Sequence, residues 1–182
     1  MNIKTSIALV TGANRGIGKA IVEALCCQGV KRIYATARDI NSLKNLVSLD
    51  PQKIIPIELD VTKLEQVLSV AELAQNVNVL INNAGVLARD GFFSASSVEN
   101  ARWEMETNFY GTLHMIRAFA PILGNNGGGA IINLVSLVSH VNVPMFGTYS
   151  ASKAAALSLT IGSKGRISSP RNFSYRSFSW SS

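Results

Sequence analysis

The sequence predicts an α/β protein built on a doubly wound parallel sheet. Short apolar runs alternate with helix-forming stretches along the first 160 residues, which is the pattern that parallel sheets with crossover helices require. A glycine-rich turn directly follows the first apolar run. With 182 residues, 47% of them hydrophobic, the chain is long enough to bury the core of one domain, and no second domain or internal repeat is visible.

Each predicted strand and helix rests on a local pattern in the sequence. The apolar run 7–10 predicts the first strand, and the helix after it shows apolar residues recurring at helical spacing up to the stop signal Gly29. The run 32–37 then closes a βαβ unit of the length that a parallel crossover needs. In full, the predicted strands lie near 5–10, 31–37, 53–59, 77–82 and 129–135, and the predicted helices near 16–28, 41–48, 62–75, 98–123 and 148–161.

The turn between the first strand and the first helix predicts a phosphate site. Gly12, Gly16 and Gly18 allow a pyrophosphate to approach the backbone, while the free N–H groups and the dipole of the helix favour an anion. Taken alone, a glycine triplet is equally consistent with a turn that holds no ligand. The two arginines near this turn, Arg15 and Arg38, favour a 2′-phosphate and therefore NADP over NAD, although Asp39 follows at once and both arginines could be solvated surface charges.

Tyr149 and Lys153 stand four residues apart and project from one face if their segment is helical. A phenol has an unperturbed pKa of about 10, and a fixed ammonium nearby favours the phenolate. The pair therefore predicts a tyrosine whose pKa is lowered enough to act as a general acid or base. On its own, this spacing is more typical of an ordinary surface pair.

With these features together, the chain resembles the short-chain dehydrogenase/reductase family over residues 7–161, on its NADP-preferring carbonyl reductase-like branch. The motifs that carry the resemblance are spread along the chain: the Thr-Gly-x-x-x-Gly-x-Gly turn at 11–18, Asp60-Val61 after the third strand, Asn82-Asn83-Ala84-Gly85 after the fourth, Asn108, Ser136, and Tyr149 with Lys153. The family's fold is a Rossmann-type sheet, so the resemblance implies the fold that the periodicity predicts.

The resemblance implies hydride transfer between NADP(H) and a small-molecule carbonyl or alcohol. Ser136 would hold the substrate oxygen, Tyr149 would deliver a proton, and Lys153 would lower the pKa of Tyr149 and bind the nicotinamide ribose. Asn108 would hold a water linked to Lys153 in a proton relay. The residues implied in cofactor binding are Gly12, Asn14, Arg15, Gly16, Ile17, Gly18, Arg38, Asp60, Val61, Asn83, Ala84, Gly85, Tyr149 and Lys153.

Two other interpretations stay open. A nucleotide-sugar epimerase or dehydratase shares the Tyr-x-x-x-Lys pair, although the glycine spacing favours the reductase branch. A catalytically silent nucleotide-binding remnant is the second, because the segments that follow the last predicted helix in the family have no counterpart after Gly162. The sequence does not identify the substrate.

The last twenty residues depart from the family pattern. They are rich in serine, contain four basic and no acidic residues, and lose helical periodicity, so we expect residues 163–182 to form a disordered tail after a dinucleotide-binding domain at 1–162. The chain is therefore expected to be truncated or altered after Gly162. The fifth strand would then lack a sheet neighbour, leaving an apolar edge that promotes aggregation and a substrate side open to water.

Composition bounds the remaining function classes. The net charge of +6 falls to +2 without the tail, which argues against nucleic acid as a partner. No apolar run is long enough for a membrane helix, and no secretory signal precedes the first strand. Adjacent Cys26 and Cys27 fit a reduced, cytoplasmic protein. His114 and His140 lack metal-ligand spacing, so no metal is predicted, while His140 could line a substrate pocket or be a plain loop residue. Homo-oligomerisation is implied for intact family members only.

Overall fold

The computed structural model describes residues 2–89, 91–94, 96–163 and 173–180, the last of these as a backbone strand. Six strands form one sheet: β1 (Ile7–Val10), β2 (Arg32–Ala37), β3 (Ile54–Glu58), β4 (Val79–Asn82), β5 (Gly129–Ser136) and β6 (Phe173–Trp180). Six helices accompany them: α1 (Gly16–Cys27), α2 (Lys44–Val47), α3 (Leu64–Leu73), α4 (Ser97–Met105), α5 (Thr112–Asn125) and α6 (Gly147–Gly162). The five predicted strands and the predicted helical regions are confirmed.

The strands are all parallel and lie in the order β3-β2-β1-β4-β5-β6. The chain leaves β1 toward β2 and β3 on one side, then returns to place β4 on the other side of β1. The carboxyl ends of all strands meet at one edge, and the reversal between β1 and β4 opens a crevice there. The topology therefore predicts the position of a ligand site before any side chain is considered.

The sheet carries a hydrophobic core on each face, as a doubly wound sheet requires. Along β1, Leu9 belongs to the cluster beneath α3 and α5, whereas Val10 belongs to the cluster beneath α1 and α2. This alternation follows from the two-residue period of a strand. Because both faces are covered, β1 is apolar throughout, β4 is apolar up to its last residue, Asn82, and both strands are buried.

The long helix predicted near 98–123 is divided by a π-helical segment, Glu106–Gly111, between α4 and α5. Such wide turns commonly mark functional positions, because they shift the helical register and aim a side chain differently. Asn108 lies inside this segment and is 1% exposed. Helical periodicity in the sequence continues through the segment, so the register shift had no local signal.

Residues 173–180, which the sequence predicts to be part of a disordered tail, form a strand in this structure. This stretch forms β6 and pairs in parallel with the whole of β5, from Gly129 opposite Phe173 to Ser136 opposite Trp180. The edge of β5, which was expected to lack a sheet neighbour, is therefore paired with β6. A strand edge with free N–H and C=O groups can accept another strand in this way. The rest of the predicted tail, 164–172 and 181–182, lies outside the described residues.

Candidate active site

The turn between β1 and α1 has the backbone geometry of an anion site. Gly12 and Gly16 adopt positive φ angles of 64° and 53°, a region that side chains disfavour. Arg15 occupies the N-cap of α1 and forms no side-chain capping hydrogen bond. The N–H groups of the first helical turn are therefore left for an anion, which the helix dipole also favours.

A set of hydrogen bonds fixes this turn to the end of β4. Asn83 and Ala84 both donate their backbone N–H to Thr11 Oγ1 at 3.0 Å, and Asn83 Nδ2 donates to the carbonyls of Thr11 (2.8 Å) and Gly12 (3.0 Å). A Cβ on Gly18 would collide with the Gly12 carbonyl and Asn83 Nδ2. Gly18 thus lies beneath the turn and allows α1 to pack close to it.

An open crevice of about 990 Å³ runs along the carboxyl edge of the sheet. Most of the residues that the sequence predicts to bind a cofactor line it. They are Gly12, Asn14, Arg15, Gly16, Ile17, Arg38, Asp60, Val61, Asn83, Ala84 and Gly85. Gly18, Tyr149 and Lys153 are not part of this wall.

The crevice has further walls that the sequence analysis missed. Some lining residues lie within four positions of predicted ones, near the ends of β2, β3 and β4, and their location could have been inferred from that proximity in sequence. Others project from α4 and the π-helical segment, far along the chain, where no local pattern marks them. The first group is Ala37, Asp39, Ser42, Leu59, Thr62, Lys63 and Val86; the second is Arg102, Trp103, Glu106 and Thr107.

At the β2 end of the crevice, the lining contains two guanidinium groups, Arg15 and Arg38, and one carboxylate, Asp39. Arg15 and Arg38 are exposed, and neither forms an ion pair with a described residue. Asp39 Oδ1 accepts the backbone N–H of Asn41 at 2.9 Å and so caps the 3₁₀ turn Ile40–Leu43. One oxygen of the Asp39 carboxylate is thereby engaged within the protein, whereas the two guanidinium groups remain available to a ligand.

The carboxylate that follows β3 is held by its own loop. Asp60 Oδ1 accepts both the backbone N–H of Thr62 (3.0 Å) and the Thr62 hydroxyl (2.8 Å), while the Asp60 N–H donates to Gln66 Oε1 at 2.7 Å. These bonds fix Asp60 and the neighbouring Val61 on the crevice wall.

Neither histidine lines the crevice. His114 Nδ1 lies 3.2 Å from the Val61 carbonyl, and His140 is exposed.

Ser136 and the Tyr149-Lys153 pair meet where β5 ends and α6 begins. Ser136 is the last residue of β5, and its N–H donates to Ser139 Oγ at 3.1 Å. Lys153 is buried, with Nζ donating to the Leu134 carbonyl at 3.0 Å and lying 5.8 Å from the centre of the Tyr149 ring. The predicted shared face of Tyr149 and Lys153 is present on α6.

The prediction that Lys153 lowers the pKa of Tyr149 is wrong for this structure. Burial raises the pKa of Tyr149 above its ordinary value of 10.0; the Ser136 side chain opposes this by hydrogen bonding, and the charge of Glu104 adds to the rise. Burial disfavours the phenolate, and the Lys153 ammonium is directed toward the Leu134 carbonyl. Tyr149 is therefore a protonated phenol at neutral pH.

Burial also lowers the pKa of Lys153, from 10.5 to about 8. An ammonium loses solvation when it is buried, and here one backbone carbonyl replaces the water. Lys153 remains mostly protonated at pH 7, but its charge is lost within the range in which many enzymes operate.

Asn108 connects the loop after β4 to α6. Its Oδ1 accepts the Val86 N–H at 2.8 Å, and its Nδ2 donates to the Val86 carbonyl and to Ser152 Oγ, both at 2.9 Å. A Cβ on Gly85 would lie 3.1 Å from Asn108 Oδ1 and 3.3 Å from Lys153 Nζ. Asn108 and Lys153 therefore meet behind a glycine of the crevice wall. Because both amide protons are used by protein partners, a water at this asparagine would have to bind an oxygen atom.

A doubly wound parallel sheet with this glycine turn and crevice defines a Rossmann-type α/β protein. Within that class, the chain belongs to the short chain dehydrogenase family, whose sequence profile matches residues 6–165.

Similar proteins agree with this assignment. A short chain dehydrogenase from Burkholderia cenocepacia J2315, solved in complex with NADP, is 41% identical and superimposes with a TM-score of 0.90, covering 97% of this chain and 72% of that one. A short chain dehydrogenase/reductase from Burkholderia phymatum in complex with NAD is 30% identical, with a TM-score of 0.88, covering 99% and 67%. The short-chain dehydrogenase PC-15 of Penicillium crustosum is 37% identical over 161 residues, and this chain spans 56% of its length.

In the part of the chain that the structure describes, no helix is long and apolar enough to cross a membrane. No group of three or more His, Cys, Asp or Glu side chains there is arranged to hold a metal ion.

Proposed function

We propose that this chain binds NADP(H) and supports hydride transfer between the cofactor and a small carbonyl or alcohol substrate. The observation that carries the proposal is that Ser136, Tyr149 and Lys153 meet at the carboxyl end of β5, with Lys153 Nζ directly behind Gly85 of the crevice wall. A proton donor and a dinucleotide crevice are thus adjacent. The family assignment favours this chemistry over that of a nucleotide-sugar epimerase or dehydratase.

The residues present fit a dinucleotide. The first turn of α1 offers N–H groups without a side-chain cap, and a Cβ on Gly16 would meet no atom within 4 Å, so the turn is open on that side. Bound there, the cofactor supplies the hydride, and the protein supplies position, charge and protons. Arg15 and Arg38 favour a 2′-phosphate, which is our reason for proposing NADP rather than NAD.

In the proposed roles, Ser136 donates a hydrogen bond to the substrate oxygen and Tyr149 transfers a proton to it. A phenol that stays protonated at neutral pH is suited to donating a proton to a developing alkoxide, so the site supports carbonyl reduction better than alcohol oxidation near pH 7. Lys153 would contact the nicotinamide ribose and return a proton to Tyr149. Asn108 would hold the loop after β4 and α6 in register around these groups.

The test of the chemistry is Tyr149→Phe. We expect turnover of carbonyl substrates to fall by at least about a thousandfold, at the upper part of the range for removing a general acid, while NADPH binding measured by fluorescence titration stays within about twofold. Tyr110→Phe is the matched control, because Tyr110 is 44% exposed and outside the crevice wall. Unchanged turnover in Tyr149→Phe would contradict the assignment of Tyr149 as the proton donor. If the wild type binds NADPH but shows no turnover, the result favours a catalytically silent nucleotide-binding protein.

The test of cofactor choice is Arg38→Ala. A charge-assisted hydrogen bond to a phosphate contributes about 1.5–3 kcal/mol, so the Kd for NADPH should rise roughly tenfold to a hundredfold while the Kd for NADH changes little. Arg32→Ala is the control, since Arg32 begins β2 at the opposite edge of the sheet. Equal loss of NADPH and NADH affinity would contradict a 2′-phosphate contact at Arg38.

A further inference from the structure

Trp103 on α4 lines the crevice and has no role in the proposed function. It is the one aromatic side chain among the described residues of the crevice wall, and it is 42% exposed. The edge-to-face pair Phe109–Tyr110 lies farther along the same helical stretch and is not part of that wall. The indole of Trp103 therefore presents aromatic surface to the space that a ligand would occupy.

Trp103 belongs to a helical face that is directed at the crevice. Its neighbour Arg102 also lines the crevice, as do Glu106 and Thr107 one helical turn later. Residues at positions i, i+1, i+4 and i+5 share one side of a helix. The position of Trp103 thus follows from the orientation of the whole helix.

Hydrogen bonds from the buried side of this helix fix that orientation. Glu104 is 0% exposed, and its Oε1 atom accepts the Ala88 N–H at 2.8 Å. One turn later, Asn108 Oδ1 accepts the Val86 N–H at 2.8 Å. Both bonds hold the helix to the segment after β4, so the helix would have to break them to turn Trp103 away from the crevice.

The same helical stretch packs against Val61, which follows β3 on the crevice wall. A Cβ on Gly111 would lie 2.5 Å from Val61 Cγ2 and 3.1 Å from Val61 Cβ, so the helix backbone is in direct contact with this side chain. Thr107 and Trp103 precede Gly111 by about one and two turns. The face that carries Trp103 therefore extends from Val61 along the β3 side of the crevice.

This side of the crevice belongs to the adenosine half of the cofactor. In the proposed function the nicotinamide lies beside Ser136 and Tyr149 at the end of β5, and the pyrophosphate lies at the glycine turn after β1. The strand order is β3-β2-β1-β4-β5, so the adenosine has to lie beyond β1, along the ends of β2 and β3.

We propose that Trp103 is a cofactor-binding residue whose indole ring packs against the adenine of the bound dinucleotide. The inference rests on the proposed function and extends it to the base. Adenine is a flat π-system, and stacking on an aromatic side chain stabilises a bound base without regard to its phosphates. Arg38 then selects the 2′-phosphate, whereas Trp103 contributes equally to the binding of NADP(H) and NAD(H).

The decisive variant is Trp103→Ala, tested with three ligands that contain adenine: NADPH, NADH and 2′,5′-ADP, which lacks the nicotinamide half. Isothermal titration calorimetry should show the Kd of all three rising by at least about fivefold, as expected for the loss of one base–aromatic stack. A similar loss for NADPH and NADH distinguishes Trp103 from Arg38, whose substitution weakens NADPH alone.

Two controls separate the aromatic contact from a general effect of the substitution. Trp103→Phe keeps an aromatic face and should retain the Kd for 2′,5′-ADP within about twofold. Tyr110→Ala removes a ring that is 44% exposed and outside the crevice wall, and it should leave all three constants unchanged. Circular dichroism checks that each variant is folded.

A fluorescence titration of the wild type does not depend on the folding of Trp103→Ala. Adenine that stacks on the indole should quench tryptophan emission when 2′,5′-ADP binds. The quenching should be lost in Trp103→Phe, which keeps Trp180, the other tryptophan of the chain. Quenching that persists in Trp103→Phe would contradict the inference.

The outcomes distinguish the inference from the proposed function. An unchanged Kd for 2′,5′-ADP in Trp103→Ala overturns the inference, and so does a Trp103→Phe variant that binds as weakly as Trp103→Ala. If the wild type binds NADPH in either case, the proposed function stands without this contact. A wild type that binds none of the three ligands would overturn both.

Discussion

At the scale of single residues, burial decides the chemistry that the site can perform. Lys153 and Tyr149 lie close together on α6, yet desolvation moves the pKa of each toward the neutral form, down for the ammonium and up for the phenol. Proximity to the Lys153 ammonium, taken alone, would have predicted a lowered pKa for Tyr149. Burial thus opposes the charged form of both groups, and at Tyr149 the hydrogen bond from the Ser136 side chain acts in the opposite direction.

The depressed pKa of Lys153 predicts a specific pH dependence of stability. Below pH 8 both folded and unfolded chains keep this proton, whereas between about 8 and 10.5 only the unfolded chain does, so the stability of the wild type rises with pH in that window. Relative to Lys153→Met, the free energy of unfolding of the wild type should rise by about 2 kcal/mol from pH 7 to pH 9.5. Urea unfolding at both pH values measures this.

The matched control for this experiment is Lys44→Met, because Lys44 is exposed. It should retain the pH dependence of the wild type. A constant difference between the wild type and Lys153→Met across the pH range would show that Lys153 keeps an ordinary affinity for its proton.

At the scale of elements, a buried polar chain joins β4, β5 and α6 beneath the site. Asn82 Nδ2 donates to Asn133 Oδ1 at 2.8 Å, Asn133 Nδ2 donates to Thr160 Oγ1 at 3.0 Å, and Thr160 Oγ1 donates to the Ala156 carbonyl at 2.7 Å. Thr160 lies two helical turns after Lys153, on the same face of α6. The chain of hydrogen bonds therefore sets the position of that face relative to the strands.

Thr160→Val should destabilise the fold by about 1–3 kcal/mol, because it leaves the buried Asn133 amide short of one partner at nearly constant side-chain volume. Denaturant unfolding measures the loss. Thr5→Val is the control, since the Thr5 hydroxyl bonds to Asn2 at the exposed surface and its removal should cost less than about 0.5 kcal/mol. Similar effects of the two substitutions would contradict a structural role for the polar chain.

At the scale of the whole molecule, the order of the strands assembles the site from distant parts of the sequence. The turn after β1, the segment after β4 and the end of β5 meet at one edge because β4 crosses to the other side of β1. Beyond them, β6 pairs with the full length of β5. The strand that ends in Ser136 thus has a neighbour on each side, which holds the end of β5 in place.

The pairing of β6 can be tested by placing proline at two consecutive positions, Ser177 and Phe178. N–H groups along a strand alternate in direction, so one of the two prolines removes a ladder hydrogen bond to β5 and the other does not. We expect one variant to lose about 2 kcal/mol of unfolding free energy and to self-associate in light scattering, as an exposed edge does. Ser177→Ala keeps the N–H and is the control; two prolines indistinguishable from it would argue against the β5–β6 register.

The sequence by itself determined the fold class, the five strands from β1 to β5, the glycine turn and most of the crevice wall, because these are local properties: apolar periodicity, conformations open to glycine, and polar residues at strand ends. The tertiary structure decided what depends on packing between distant segments. It turned the Ser-rich stretch 173–180 into a strand through the open edge of β5, raised the pKa of Tyr149 by burying it, and packed α4 against α6. Burial and partner choice are set by the whole fold, so no window of the sequence contains them.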